Sequence, residues 1–286
     1  MPLAQGIEIE QLTNGQYDLV YNLFSLAIAS LFFTGLYLVL SQRRVTPKYR
    51  NALIISAMVC FIATYHYIRI FDNFKESYDT VAQGGQGVYT LTNVAFNEGY
   101  RYVDWFLTVP LLLVETVAVL ALTKAAAKPL LFKLVIASAL MIALGYPGEI
   151  TTDTGTRLLW GTLSTIPFLY LLYVLFVELS KSMERQPVEV RSTVGKLRLM
   201  LVGLWGVYPI AYLMPVLGFD GANAFVARQA GYSLADIFAK AAFGLVIYKI
   251  ARMKSLYDDP AFDDEADAIT GESVDPGGAR RASQPA

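Results

Sequence analysis

Seven blocks of apolar residues constrain this chain more than any other feature of its sequence. The blocks fall near residues 19–40, 51–71, 98–122, 130–147, 157–178, 197–217 and 225–250. A helix needs about 20 residues to cross the hydrocarbon core of a bilayer, and in lipid each segment must satisfy its own backbone polar groups. Only 16% of the residues are charged, against roughly 25% in soluble domains. The predicted fold is an all-α membrane protein, a bundle of seven transmembrane helices.

The block boundaries divide the chain into three predicted regions. Residues 1–18 are polar and acidic, and we expect no cleavable signal peptide there. Residues 19–254 form the predicted membrane domain. Residues 255–286 are acidic and then rich in Gly, Pro and Ser, so a disordered tail is expected. The net charge of −1 gives no reason to expect a nucleic-acid partner. No metal site is predicted, and the single cysteine, Cys60, excludes an intrachain disulfide.

The basic residues between the blocks are distributed unequally over the two sides of the predicted bundle. One side has little beyond Lys75, Arg157 and Arg228. The other side receives Arg43, Arg44, Lys48, Arg50, Lys124, Lys128, Lys133, Lys181, Arg185, Arg191, Lys196, Arg198, Lys249, Arg252 and Lys254. Because Lys and Arg concentrate in cytoplasmic loops, the N-terminus is predicted to be extracellular and the tail cytoplasmic.

The third block places several ionisable residues inside the membrane. Asp104 and Glu115 are eleven residues apart. At about 100° per residue they project from one helix face, roughly 16 Å apart along the axis. Thr108 shares that face, and Arg101 lies one turn outside Asp104. Placing each of these charges in the hydrocarbon region costs several kcal/mol of free energy, so each residue is a candidate for a function. The alternative is a pair of structural salt bridges or misplaced span ends, although Pro110 and LLLV separate the two acids.

The seventh block contains an acid and a lysine one turn apart. Asp236 and Lys240 have the i, i+4 spacing at which side chains on a helix meet. A lysine at mid-membrane depth needs a counterion or loses its proton, and a buried amine is the usual nucleophile for a Schiff base with a carbonyl compound. The alternative is an Asp–Lys salt bridge that locks the bundle.

His66 lies in the second block, close to the predicted depth of Asp104. Each is five or six residues from the outer end of its span. A histidine beside a buried carboxylate can share its proton. A lone histidine in an apolar helix is otherwise a satisfied core residue, but the matching depth favours pairing with Asp104.

Over residues 15–255 the sequence resembles the microbial rhodopsins, and in particular the proteorhodopsin and xanthorhodopsin group. The matching segments are RYVDWFLTVPLLLVE, WGTLSTIPFLYLLYVLF, LWGVYPIAY and DIFAK. The resemblance implies a light-driven outward proton pump of a bacterial cytoplasmic membrane, with all-trans retinal as its cofactor. It implies a transporter rather than an enzyme, surrounded by lipid and assembled as a trimer or pentamer of identical chains.

The resemblance also implies a role for each candidate residue. Lys240 would carry retinal as a protonated Schiff base, with Asp104 as counterion and proton acceptor and Asp236 as second counterion. Glu115 would be the proton donor, kept protonated by its apolar surroundings. The remaining family positions are Arg101, Thr108 and His66 around the acceptor, and Trp105, Leu112, Met141, Trp205, Tyr208, Pro209 and Tyr212 around the polyene. Leucine at 112 suggests green absorption.

Gly161 stands where many relatives have a tryptophan against the retinal ring. A glycine removes that wall, and in the xanthorhodopsin-like group such an opening admits a carotenoid antenna. The resemblance therefore implies a carotenoid fenestration at Gly161, for a hydroxylated carotenoid. The alternative is helix packing, because small residues are common at helix interfaces in membranes.

Other functions remain open at this point. A sensory rhodopsin would relay light to a partner protein, but such proteins often lack a carboxylate donor such as Glu115. Sodium pumps of the family use an Asn-Asp-Gln set and its chloride pumps lose the acceptor carboxylate, so Asp104, Thr108 and Glu115 fit neither. A receptor or transporter without retinal requires Lys240 to be structural.

The group that releases the proton is not identified by the sequence. Residues 218–230, GFDGANAFVARQA, lack the paired glutamates of the archaeal pump and contain Arg228. We therefore expect a different or slower release route.

Overall fold

The computed structural model describes residues 10–83, 86–184, 186–219, 221–260 and 262. Within these residues, seven helical rods pack side by side and a small sheet covers one end of the bundle. We call this the sheet end and the other the opposite end. Residues 1–9 of the predicted N-terminal segment, Arg185, and the predicted tail at 261 and from 263 onward lie outside the described residues.

The helices are numbered α1 to α7 in chain order. Four are uninterrupted: α1 Asn14–Leu40, α2 Pro47–Ser77, α3 Gly99–Leu120 and α4 Lys124–Glu149. Three are composite: α5 (Thr154–Tyr173, π-helical Val174–Glu178, Leu179–Ser182), α6 (Val188–Trp205, Val207–Leu213) and α7 (Gly221–Asp236, π-helical Ile237–Ala242, Phe243–Asp258).

Helices α1 to α6 are each long and apolar enough to cross a membrane in the described part of the chain. Helix α7 is divided by its π-helical segment and carries Asp236 and Lys240 at its centre. It nevertheless packs inside the bundle, so the predicted seven-helix architecture is confirmed.

The sheet is a feature that the all-α prediction missed. Strands β1 (Gln11–Thr13), β2 (Tyr78–Gln83) and β3 (Gln86–Leu91) pair antiparallel in the order β1-β3-β2. Strands β2 and β3 lie between the second and third apolar blocks, in a stretch rich in Gly, Asn and Thr. Gln83 pairs with Gln86, and the Gly-Gly sequence between them is a hairpin signal. The Tyr89 ring stacks on Tyr17 of α1 at 3.6 Å between centroids, which joins the sheet to the bundle.

Helix α7 is longer than the sequence predicted. It ends at Asp258, whereas the disordered tail was predicted to begin at residue 255. Lys48 and Tyr49 of α2 donate to the Asp258 carboxylate at 2.8 and 2.6 Å, and the Ser255 hydroxyl accepts from the backbone N–H of Thr46 at 2.9 Å. These contacts hold the last turn of α7 against the start of α2.

Helices α1 and α2 approach each other closely at Gly35. A Cβ added to this glycine would lie 3.1 Å from Cε1 of Phe61 and 3.2 Å from Cβ of Cys60. Such distances leave no room for a side chain between the two helices. Small residues at helix interfaces allow this kind of backbone approach in membranes.

We predict that Gly35→Leu destabilises the bundle by about 1–3 kcal/mol, because overpacking forces neighbouring side chains and backbone to shift. The matched control is Gly203→Leu in α6, where an added Cβ meets nothing within 4 Å. Both variants gain helix propensity, but only the first collides. Circular dichroism of the detergent-solubilised protein should give a lower unfolding midpoint for Gly35→Leu alone. Equal midpoints for the two variants would contradict the close contact.

Candidate functional site

The centre of the bundle holds an ammonium group between two carboxylates. Lys240 lies in the π-helical segment of α7, where it is 2% exposed. Its Nζ forms a very short ion pair with Asp104 of α3 and a second pair with Asp236, 3.0 Å from Oδ1. The sequence predicted the Asp236 pair from α-helical spacing. The structure brings the two residues together although the intervening turn is π-helical, a feature that often marks functional sites.

The two carboxylates differ in how many donors they have. Asp236 accepts from the Trp105 indole at 3.1 Å, from the Tyr208 hydroxyl at 2.7 Å and from the Tyr67 hydroxyl at 2.9 Å. Among the described residues, Asp104 has Lys240 as its one donor, and its Oδ1 is buried without a hydrogen-bond partner. Hydrogen bonds to a carboxylate stabilise its charged form. Asp236 is therefore built to stay ionised, and Asp104 is the carboxylate better able to accept a proton.

Glu115 is fully buried in the half of the bundle nearer the opposite end. The Ser56 hydroxyl of α2 contacts its Oε2, while its Oε1 is buried without a partner. Asp104, Thr108 and Glu115 all lie on the buried face of α3, as their spacing predicted. A carboxyl group with one hydroxyl partner in apolar surroundings is most stable when protonated.

Thr108 and His66 do not contact the Asp104 carboxylate by hydrogen bonds. The Thr108 hydroxyl donates to the backbone carbonyl of Asp104 at 2.8 Å. His66 is buried, its ring meets Tyr65 edge-on at 5.2 Å, and its Nδ1 has no hydrogen-bond partner in the described residues. Pairing of His66 with Asp104 therefore remains a prediction, although each has an unpaired polar atom.

Arg101 connects the site to the sheet end. It is 1% exposed, and its Nη1 donates to the Tyr67 hydroxyl at 3.0 Å. Its Nη2 donates to Oε1 of Gln229 at 2.7 Å, and its Nε lies 3.4 Å from Oε2 of Glu98. Arg101 thus lies one turn beyond Asp104, as predicted, and its guanidinium has partners on α2, on α7 and just before α3.

A cavity of about 290 Å³ extends from Lys240 between α3, α4, α5 and α6. This volume is near the lower end of the roughly 300–1,000 Å³ of small-molecule sites. Its walls are mostly apolar and aromatic, with an amine at one end, which fits a long apolar molecule that carries a carbonyl. All the predicted retinal-pocket residues line it: Trp105, Leu112, Met141, Trp205, Tyr208, Pro209 and Tyr212.

Gly161 lies in the same cavity wall, against Tyr212. An added Cβ would be 2.8 Å from Cε1 of the tyrosine ring. The glycine thus has a packing role, which was the alternative explanation for it. The cavity nevertheless reaches the bundle surface beside it, because the lining residues Leu158, Thr162 and Leu213 are exposed.

Several site residues were missed by sequence reasoning. Tyr67 bridges Asp236 and Arg101, Ser56 contacts Glu115, and Gln229 and Glu98 bind Arg101. Tyr67, Ser56 and Gln229 have partners on other helices, so no spacing rule within one segment reveals them, whereas Glu98 stands at i, i+3 spacing from Arg101 and could have been found from it. The only sequence signal for Tyr67 and Gln229 is that each directly follows an ionisable residue, His66 and Arg228 respectively.

Comparisons with known proteins agree with this site. Residues 19–253 match the family described as bacteriorhodopsin-like protein. The green-light absorbing proteorhodopsin of Gamma-proteobacterium EBAC31A08 is 28% identical over 235 residues, which cover 81% of this chain and 86% of the relative. The structures of thermophilic rhodopsin and of xanthorhodopsin, a light-driven ion pump with dual chromophore, are each 46% identical, with a TM-score of 0.82, covering 88% of this chain and 99% of theirs.

The match extends over nearly the whole membrane domain and includes both the fold and the sequence. Together with the bacterial proteorhodopsin relative, the apolar helices identify a multi-pass protein of the bacterial inner membrane. The chain belongs to the bacteriorhodopsin-like protein family, as a microbial rhodopsin of the xanthorhodopsin and proteorhodopsin type.

Proposed function

We propose that the chain is a light-driven outward proton pump with all-trans retinal bound to Lys240. The family consists of light-driven ion pumps rather than enzymes. The observation that carries the proposal is the buried Nζ of Lys240, which lies between Asp104 and Asp236 at the end of an aromatic cavity. A structural salt bridge needs no cavity at its amine.

The first half of the cycle uses the difference between the two carboxylates. All-trans retinal, carried on Nζ of Lys240 as a protonated Schiff base, supplies the light-driven isomerisation. The proton held at Nζ then moves to Asp104, whose Oδ1 has no donor. Asp236 remains ionised because three hydroxyl and indole donors hold its charge. Asp104 is therefore the acceptor.

The second half of the cycle uses Glu115 on the other side of Lys240. Glu115 gives its proton to Nζ and then takes up a new proton from the opposite end of the bundle. Each proton moved against the membrane potential requires about 2.3 kcal/mol per 100 mV. The depth order along α3 (Asp104 towards the sheet end, Glu115 towards the opposite end) sets the direction of transport.

The orientation in the membrane follows from the basic residues. Arg43, Arg44 and Lys48 lie at the opposite end, and Lys48 is exposed. At the sheet end, Arg157 and Arg228 are buried in ion pairs and do not act as loop charges. The positive-inside rule then places the sheet end outside and the tail in the cytoplasm.

The first prediction concerns transport itself. Illuminated, unbuffered cells that express the chain with retinal should acidify the medium, and a protonophore should abolish the signal. Lys240→Ala should be colourless and inactive, whereas Lys249→Ala, exposed on the same helix, should keep colour and transport. A coloured protein that shifts no protons would support a sensory function, and alkalinisation that persists with protonophore would support another ion.

The second prediction concerns the donor. Glu115→Gln should slow reprotonation of Nζ by about a hundred-fold, because a positioned proton donor contributes roughly 10²–10⁴ in rate. Flash spectroscopy measures this step as the recovery of visible absorption. Glu189→Gln, an exposed carboxyl near the same end, should recover at the wild-type rate. Identical recovery in both variants would remove Glu115 from the donor role.

A hydroxylated carotenoid is the second chromophore that the opening beside Gly161 would accept. Xanthorhodopsin has a dual chromophore, and here the exposed residues Leu158, Thr162 and Leu213 make the cavity open at the lipid-facing surface. A flat polyene lying across this opening would approach the retinal site. Assembly as a trimer or pentamer remains a further part of the proposal.

The third prediction tests the antenna. With an added hydroxylated carotenoid, wild-type protein and the lipid-facing control Gly203→Trp should both show carotenoid bands in the excitation spectrum of retinal fluorescence. Gly161→Trp should lose those bands and keep retinal absorption, because its indole occupies the opening. Unchanged energy transfer in Gly161→Trp would place the carotenoid elsewhere or exclude it.

A further inference from the structure

A buried ionic cluster lies between the pumping site and the sheet end. Glu98 precedes α3, Glu149 ends α4, and Arg157 and Arg228 belong to α5 and α7. Their exposed fractions are 7%, 5%, 3% and 4%. These residues are far apart in the sequence, and none has a part in the steps at Lys240. We call these four residues the exit cluster.

Arg228 bridges the two acids of the exit cluster. Its Nη2 donates to Oε1 of Glu98 at 3.0 Å, and its Nη1 donates to Oε1 of Glu149 at 3.4 Å. The Tyr102 hydroxyl lies 3.4 Å from Oε2 of Glu149, and Arg157 lies 4.0 Å from the same oxygen. The guanidinium between the two carboxylates offsets their mutual repulsion, so both can be ionised in a buried site.

Polar contacts lead from the pumping site to Glu98. The Tyr67 hydroxyl binds Asp236 and accepts from Arg101, and Arg101 donates to Gln229. Gln229 in turn donates from Nε2 to Oε1 of Glu98 at 2.6 Å. Arg101 therefore lies between the carboxylates around Lys240 and the exit cluster. A change of charge at those carboxylates would act on the exit cluster through Arg101.

Glu98 has one oxygen available. Its Oε1 accepts from Arg228 and Gln229, but its Oε2, which lies 3.4 Å from Nε of Arg101, is buried without a hydrogen-bond partner in the part of the chain that the structure describes. A proton can bind at Oε2 without breaking either bond at Oε1. Within the described residues, this oxygen is held by the ion pair with Arg101 alone, so it is the Glu98 atom at which a proton arriving from the pumping site can bind.

The far side of the exit cluster borders a second cavity. This cavity has a volume of about 180 Å³ and is lined by both arginines together with Thr151, Thr152 and Phe225, among others. Arg228 thus contacts Glu98 and Glu149 and also lines a cavity at the sheet end, together with Arg157 and several threonines. Water in such a space can carry a proton away from a carboxyl group.

We propose that Glu98 and Glu149, bridged by Arg228, relay the pumped proton from Asp104 to the outside. The O–H bond of Asp104 breaks, water carries the proton across the gap, and a new O–H bond forms at Oε2 of Glu98. Glu98 then passes the proton to Glu149, Glu149 gives it to water at the second cavity, and both acids return to their ionised state. One proton leaves for each one given to Asp104. This inference rests on the proposed pumping function.

The experiment follows one turnover after a flash in protein oriented in lipid vesicles. A membrane-impermeant pH dye records protons at the sheet end, and visible absorption records the steps at Nζ and the final return to the dark state. The variants are Glu98→Gln, Glu149→Gln, the acid-retaining Glu98→Asp, and Glu76→Gln as control. Glu76 is an exposed carboxyl at the sheet end.

Glu98→Gln should delay both proton arrival and the return to the dark state by about ten-fold or more, as expected when a relay group is lost. The steps at Nζ should stay within about two-fold of wild type, because the relay acts after them. Glu98→Asp should recover most of the rate and Glu76→Gln should match wild type. A merely structural Glu98 would slow every step or none.

The inference is wrong if wild type pumps and both Gln variants release protons on the wild-type schedule. Should Glu98→Gln not fold, Glu149→Gln alone decides: a delay supports the relay and an unchanged release time overturns it. If the pumping proposal itself is wrong, the result can be distinguished, because the wild-type protein would then give no dye signal.

Discussion

The structure depends on one buried cation. Removing an ammonium group from water costs many kcal/mol unless anions and hydrogen bonds replace its hydration, and Lys240 has two carboxylates within contact distance. Those carboxylates in turn require Trp105, Tyr208 and Tyr67. The centre of the bundle is therefore polar and tightly specified, although its surroundings are apolar. Helices α2, α3, α6 and α7 are held in register by these bonds as well as by packing.

This arrangement makes the site directional. Asp236 is saturated with donors and Asp104 is not, so the two carboxylates that share Lys240 cannot exchange roles. Glu115 stands on the other side of the amine with only Ser56 as partner. A proton that leaves Lys240 is therefore expected to move towards the sheet end, and a replacement is available from the opposite end. In the proposed function, directional transport follows from the unequal partners of three carboxyl groups.

The sequence predicted those parts of the site that one helix can specify. Eleven-residue spacing placed Asp104 and Glu115 on one face of α3, and i, i+4 spacing paired Asp236 with Lys240. It did not predict contacts formed between helices, such as Tyr67 with Arg101 or Gln229 with Glu98, because their geometry depends on how the helices pack. The sheet was missed because short polar strands resemble loops. The retinal-pocket residues were identified from the resemblance alone, since aromatic residues in membrane helices otherwise indicate only packing.

Tyr212 links the cavity at Lys240 to Arg157, which lines the second cavity. Its ring lines the cavity at Lys240 and lies against Gly161 and Gly148, where an added Cβ would come within 2.8 Å of a Tyr212 ring carbon at Gly161 and closer still to the Tyr212 hydroxyl at Gly148. Its hydroxyl donates to the carbonyl of Arg157 at 2.7 Å, and the Arg157 guanidinium donates back to the Tyr212 carbonyl at 3.2 Å. The side chain that narrows the opening beside Gly161 is therefore fixed to an arginine of the exit cluster. A shift of this ring, whether caused by a carotenoid or by movement of α6, would be transmitted through two hydrogen bonds to Arg157 and from there to Glu149, whose Oε2 lies 4.0 Å from the guanidinium.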